Sequence, residues 1–308
     1  MISFDHVSKR YGTLNALQDV SFSVPKGQVL GLLGQNGAGK TTAMNILTGC
    51  LAPTAGGVSI GGNDVILHPR EAKRMIGYLP EVTPVYEEMT VRAYLRFACE
   101  LKEVERKAIP AHVETVAEKT GLFDVLDRKI GNLSKGYRQR TGVAQALCGT
   151  PEVIVLDEPT AGLDPRQNSE MRQLILSLAG EHTILFSSHI LSEVQALCDR
   201  VIILHHGRIV CDSDLNRLRQ GESTRLRLDV SGSGRKLLPA LEKLPGVLDV
   251  NRLPDPAPDT LSVELVHAPG ERLQKRLFSL LASLNAPILR LQETEDSLEE
   301  VFLRVTGE

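Results

Sequence analysis

The chain is predicted to fold as an α/β protein with a mostly parallel sheet, followed by a small, separate α+β domain. Three observations predict this. Short apolar segments alternate with helical patterns as far as Leu204, the order of a parallel sheet covered on both faces. Between about Thr90 and Leu147 strand character is lost and the spacing becomes helical, so a helical insert interrupts the α/β core. Composition then shifts near Arg219-Gln220-Gly221-Glu222, and the elements beyond follow the order βαββαβ plus one helix.

In order along the chain, residues 2–8 and 20–24 read as strands around a short loop, and Gln28 to Leu33 as a buried strand. Gly34-Gln35-Asn36-Gly37-Ala38-Gly39-Lys40-Thr41-Thr42 follows and fits G-x-x-x-x-G-K-[ST]; Thr42 to Gly49 then has helical spacing. Glycines let such a loop curl so that successive N–H groups point inward at a polyphosphate. The helix adds its positive N-terminal end, Lys40 reaches the β- and γ-phosphates, and Thr41 offers a hydroxyl to Mg²⁺. A nucleoside triphosphate site is implied.

Val58 to Gly62 reads as strand and turn, Pro69 to Met75 as a short helix and Ile76 to Leu79 as a strand. Helices are expected at Val91–Lys102, at Ala111–Gly121 and from near Ser134, and strands at Val153–Leu156, Thr183–Phe186 and Val201–Leu204. The second domain reads as strand Arg225–Val230, helix Arg235–Leu244, strand Val247–Leu253 and a Pro-rich turn at 254–258. Strand Leu261–Val266, helix Glu271–Asn285, strand Ile288–Gln292 and helix Ser297–Thr306 complete it. This is the split-βαβ or ferredoxin-like order. Domain limits are therefore set at 1–220, with the helical part at about 82–150, and at 221–308.

Composition excludes several classes. With 35 basic against 38 acidic residues, no global field favours DNA, RNA or anionic lipid. Trp is absent and few aromatic residues remain to stack on single-stranded bases, so nucleic acid is not an expected partner. No apolar run is long enough to span a membrane, and the first residues lack a signal peptide's regions; a cytoplasmic location is expected. Five cysteines without C-x-x-C spacing read as small buried apolar side chains. His205-His206, at the end of a strand, reads as a turn rather than a metal site.

The remaining motifs carry chemistry. Val153-Ile154-Val155-Leu156-Asp157-Glu158 is a buried strand tipped by two carboxylates that alternation points differently. Asp157 suits a place near Mg²⁺, and Glu158 can polarise a water aimed at the γ-phosphate. Many core strands end in an acid; this one follows a phosphate loop. Leu133-Ser134-Lys135-Gly136-Tyr137 opens a helix, and taken alone Ser134 is an N-cap. The set in order is phosphate loop, helical insert, L-S-x-G, acid-tipped strand, Ala161-Gly162-Leu163-Asp164 and Ser187-Ser188-His189. It resembles the ATP-binding-cassette (ABC) ATPase family over about residues 2–218.

That resemblance implies a P-loop NTPase cassette, with a RecA-like core and a helical subdomain. It also implies roles. Tyr11 stacks on adenine, residues 34–42 hold the phosphates, and residues 133–137 form the signature loop that reaches the γ-phosphate held by a second subunit. Asp157 is the second Walker acid, Glu158 the catalytic carboxylate, Asp164 the link between two sites, and His189 the switch histidine at the γ-phosphate. Two departures stand out. Glu81 occupies the place of the family's usual Gln, which contacts Mg²⁺ and the attacking water; a carboxylate ligates the ion but donates no hydrogen bond when ionised. Lys135 and Tyr137 replace the first Gly and the Gln of L-S-G-G-Q.

A signature loop distant from its own phosphate loop needs a second copy of the chain, clamping two ATP molecules head-to-tail. Within the family, L-S-K-G-Y, Gly162 and the ending Ser297-Leu298-Glu299-Glu300-Val301-Phe302-Leu303 resemble ATPase subunits of bacterial exporters for drugs, lipids or polysaccharides, including gliding-motility and copper-enzyme-maturation types. The resemblance implies separately encoded multi-span membrane permease subunits and a place on the inner face of the cell membrane. Residues Glu81 to Tyr94, with Val82, Pro84, Val85, Tyr86 and Met89, are expected to wall the docking groove. A soluble ABC-type ATPase, or a nucleotide-sensing regulator with 222–308 as ligand domain, stays open as an alternative.

Overall fold

Five successive positions without a polar side chain leave no face for water, and Val29–Leu33 (β3) is buried along its whole length. The computed structural model describes residues 1–215, 224–232, 234–255, 257, 259–267, 273–294 and 302. The chain divides into two compact units, Met1–Asp214 and Leu215–Glu308.

The first unit begins with Ile2–Tyr11 (β1) and Leu14–Val24 (β2), then β3, Lys40–Leu47 (α1), Ala55–Ile60 (β4), Asn63–Asp64 (β5), Pro69–Met75 (α2) and Ile76–Leu79 (β6). The helices Val91–Leu101 (α3), Ile109–Thr120 (α4) and Lys135–Leu147 (α5) follow. Val153–Asp157 (β7), Pro165–Leu178 (α6), Thr183–Ser188 (β8), Leu191–Leu197 (α7), Arg200–His205 (β9) and Arg208–Asp214 (β10) close the unit. One sheet has the order β10-β9-β3-β8-β7-β6. Its strands β3 and β6 to β9 run parallel, and β10 joins as an antiparallel edge. The expected mostly parallel sheet is therefore present.

The N-terminal strands do not join it. They form a second, antiparallel sheet, β2-β1-β4-β5. One core holds Phe4, Val20 and Phe22 from that sheet, Ala43, Met44 and Leu47 from α1, and Leu30, Leu32 and Val155 from the parallel sheet. The α1 helix is thus clamped between two sheets, which fixes its N-terminus at the end of β3.

The helical insert starts where the Thr90 hydroxyl accepts the Ala93 N–H at 3.2 Å, an N-cap ahead of an amphipathic stripe. The α4 helix ends at Gly121, in the left-handed conformation common just past a helix. The expectation of buried cysteines holds for Cys99 and Cys148 but not for Cys50, which is exposed. Cys99, His112 and Cys148 offer ligand atoms within 4.8 Å of one another. His112 Nε2 already accepts the Gly149 N–H at 3.1 Å, and Cys148 Sγ lies 3.5 Å from the Ala144 carbonyl oxygen. His112 thus ties α4 to the chain just past α5.

The second unit runs Thr224–Ser231 (β11), Gly234–Glu242 (α8), Val247–Arg252 (β12), Thr260–His267 (β13), Leu273–Ser283 (α9) and Ile288–Thr294 (β14). Its antiparallel sheet has the order β12-β13-β11-β14, so the first and third strands are central, as the split-βαβ order requires. Leu226, Leu228 and Val230 of β11 pack with Leu237, Leu241, Leu273, Leu277 and Leu281 of the two helices in a core of its own. The expected helix at 297–306 lies outside the described residues, Phe302 excepted. Among the described residues no helix is long and apolar enough to cross a membrane.

Candidate active site

The β3 strand delivers the chain to residues 34–39, and the loop closes at Gly39, the N-cap of α1, with φ 109°. A Cβ there would sit 2.6 Å from the Ala16 carbonyl oxygen, so both the conformation and the space require glycine. Lys40, first in α1, is buried. Its ammonium donates to the Gly34 carbonyl at 2.6 Å and lies 3.6 Å from Glu158 Oε1.

Strands β7 and β8 are hydrogen-bonded neighbours, and their ends supply the carboxylates and the histidine. Ser187 Oγ donates to Asp157 Oδ1 at 2.6 Å and accepts the Glu158 N–H at 3.0 Å, so one hydroxyl orients both acids. Glu158 is left-handed, at φ 49°, an uncommon conformation for a residue with a side chain. Its Oε2 lies 2.9 Å from His189 Nδ1. Glu158 therefore bridges Lys40 and His189 while only 7% exposed. Asp157 Oδ2 is buried with no hydrogen-bond partner among the described residues. A buried, orphaned carboxylate oxygen, with Thr41 and Glu81 on the cleft wall as further oxygen donors, is the chemistry a hard divalent cation takes, so the donor set fits Mg²⁺.

A cleft of about 600 Å³ brings together Tyr11, Gln35, Asn36, Gly37, Gly39, Lys40, Thr41, Thr42, Glu81, Glu158 and His189. Gly34 and Ala38 belong to the same loop without lining the cleft, and Asp157 is buried, next in sequence to Glu158. Tyr11 is half exposed, and the Lys9 ammonium stands 5.3 Å from its ring centroid. A cation on one face and open surface on the ring suit stacking by a base.

Leu133, Ser134, Lys135, Gly136, Tyr137 and Asp164 do not line this cleft. Ser134 caps α5, its hydroxyl 3.4 Å from the Tyr137 nitrogen, and Asp164 caps α6 by accepting the Gln167 N–H at 2.8 Å. Lys135 does not turn toward the cleft; its ammonium rests against Gly162, where any Cβ would collide with it. Sequence reasoning missed Thr13, Leu14, Asn15, Ala16 and Gln18, which line the cleft from the β1–β2 turn and β2, as well as Ala161 and His206. The first two strands extend to Tyr11 and back to Leu14, beyond the expected 2–8 and 20–24, and this extension carries their turn to the site. Ser187 was legible beside His189, but its bridging role needs the sheet register.

A larger cavity of about 780 Å³ lies elsewhere, between the sheet core and the helical insert. Tyr78, Tyr86, Tyr94, Phe97 and Leu101 line it. Of the expected wall only Pro84, Tyr86 and Tyr94 take part. Val82 is 82% exposed to solvent, and Val85 and Met89 are turned elsewhere.

Fold and cleft together define a nucleotide-hydrolysing P-loop cassette with a helical insert. Comparison with known proteins makes this more specific: the family model described as "ABC transporter" matches residues 17–161, and the chain belongs to the ABC transporter ATP-binding family. It is 39% identical to "ABC transporter ATP-binding protein NatA" of Bacillus subtilis (strain 168), over 72% of this chain and 93% of that one. It is 35% identical to "Nod factor export ATP-binding protein I" of Burkholderia orbicola (strain AU 1054), over 99% and 97%. A solved structure described as the "ATP binding subunit of ABC transporter" superposes with a TM-score of 0.65 at 29% identity, covering 71% of this chain and 92% of its own. The protein is thus an ATP-binding transporter subunit, an ATPase.

Proposed function

We propose that this chain hydrolyses ATP with Mg²⁺ in a site completed by a second copy of itself, and that the clamping drives separately encoded membrane permease subunits in export. The observation that carries the reading is Glu158, a buried carboxylate poised between Lys40 at 3.6 Å and His189 at 2.9 Å on the wall of the cleft. In this reading Lys40 and the 34–42 loop bind the phosphates, and Tyr11 stacks on the base. Thr41, Asp157 and Glu81 hold Mg²⁺, which supplies charge neutralisation at the phosphate oxygens. Glu158 takes a proton from the attacking water, and His189, oriented through Nδ1, presents its ring to the γ-phosphate.

The absence of residues 133–137 from the cleft of their own chain supports a two-chain site. Ser134, Gly136 and Tyr137 then face the nucleotide of the partner, with Asp164 in the loop between the two sites. Export is supported by the Burkholderia relative, matched along nearly the whole of both chains. The apolar cavity beside α3 is the proposed seat of a permease segment at the inner face of the membrane, because Tyr86 and Leu101 stand more than half exposed there.

Kinetics and ATP binding test the reading together. Lys40→Ala should abolish turnover. Glu158→Gln should bind ATP yet lose turnover by roughly a hundredfold or more. Normal hydrolysis by Glu158→Gln removes the catalytic assignment.

A further inference from the structure

Two functional side chains meet across separate strands, and their separation has to be set by something other than their own 2.9 Å contact. Glu158 follows β7 and His189 follows β8. Ser187 joins the two strands on the near side, through Asp157 and the Glu158 N–H. Behind them lies Glu193, in the first turn of α7 and only 4% exposed. Its Oε2 accepts the Thr160 hydroxyl and the Ser188 hydroxyl, each at 2.8 Å.

We propose that Glu193 is a positioning residue for the hydrolytic step, locking the turn that carries Glu158 to the corner that carries His189. This deepens the proposed function and rests on the roles given there to Glu158 and His189. Thr160 closes the turn after Glu158, where the Ala161 N–H returns to the Glu158 carbonyl at 3.0 Å. Ser188 precedes His189, and its hydroxyl oxygen also accepts the Ile190 N–H at 3.0 Å, so His189 sits in a corner pinned on both sides. One carboxylate oxygen thus holds both supports.

Chemistry explains why a two-fold acceptor stands here. Glu193 is buried, and a buried polar oxygen needs partners; the Thr160 and Ser188 hydroxyls supply them. Glu193 Oε2 accepts from both hydroxyls, and the Ser188 lone pairs are left for the Ile190 N–H. A threonine or serine alone could rotate its proton elsewhere. The acceptor fixes both rotors, and through them the distance between the acid and the histidine. Misplacement of reacting groups by about 1 Å can cost on the order of a hundredfold in rate.

The test separates positioning from folding by measuring kcat and the dissociation constant for ATP on the full chain. Glu193→Ala should lower kcat roughly tenfold to a hundredfold with ATP affinity within about threefold of the parent. Thr160→Val, which keeps shape and removes the hydroxyl, should give a loss of similar size and stay informative where Glu193→Ala does not fold. Thr160→Ser and Glu193→Gln, which retain donor and acceptor, should recover most of kcat. The Thr160→Val/Glu193→Ala pair should be no slower than the worse single variant. Unchanged kcat in Thr160→Val, or loss of ATP binding in step with kcat, overturns the proposal. Glu158→Gln run in parallel reports on the underlying reading: if it hydrolyses normally, that reading fails whatever Glu193 does.

Discussion

A left-handed Glu158 costs about 1 to 3 kcal/mol of backbone strain, and it persists because Ser187 holds its N–H and Lys40 and His189 hold its carboxylate. Its type was legible from the strand that precedes it; its conformation was not, since φ depends on contacts 29 residues and more away. Lys135 shows the same limit. Its charge is spent beside Gly162, at φ 66°, rather than toward the cleft. Gly162→Ala should therefore destabilise the protein by about 1 kcal/mol or more and displace the Lys135 side chain. Thermal melts should show that loss little restored in the Gly162→Ala/Lys135→Ala pair, since a lysine tip moves aside cheaply; a silent Gly162→Ala contradicts the left-handed conformation. At His112, burial disfavours the charged imidazole and holds it below its usual 6.5, against a smaller upward pull from a backbone hydrogen bond at Leu147. With the folded value below the unfolded one, this stabilisation is full above about pH 6.5 and is lost as pH falls through the folded value. Denaturant titrations of His112→Gln between about pH 7 and 5 should show a flatter acid slope than the parent, and an identical slope would exclude His112 as its source.

At the scale of elements, caps and periodicity made α2, β6 and α3 readable to within a residue or so, because Pro69, Thr90 and an apolar stripe mark them locally. The β10 strand was missed. Its residues run Ile209-Val210-Cys211 and then Asp212-Ser213-Asp214 behind the His206-Gly207 turn, without period-2 alternation, and the hairpin is defined by pairing with β9, which spacing does not state. The N-terminal sheet was hidden for a similar reason, since β1 takes β4 as its second partner. The Ser134 cap should carry about 1 kcal/mol, so Ser134→Ala should lower stability by that order in a denaturant melt. In the cavity against α3, Tyr86→Asp and Leu101→Asp should leave the basal ATPase of the isolated subunit intact. With membrane subunits present they should abolish any stimulation by the permease; full stimulation would place docking elsewhere.

For the whole molecule, the second unit closes its own core around Leu228, Leu241 and Leu277, and the cleft residues all belong to the first unit. A chain ending at residue 220 should therefore fold and bind ATP, with altered dimer affinity or basal turnover. Loss of ATP binding by the folded fragment would give the second unit a direct part in the site. The central claim is that each site is shared by two chains, and sedimentation of Glu158→Gln tests it most directly. With ATP and Mg²⁺ this variant should sediment at twice the monomer mass, and adding Ser134→Arg should return it to monomer with nucleotide still bound. A Glu158→Gln chain that binds ATP and stays monomeric at every concentration would contradict the account.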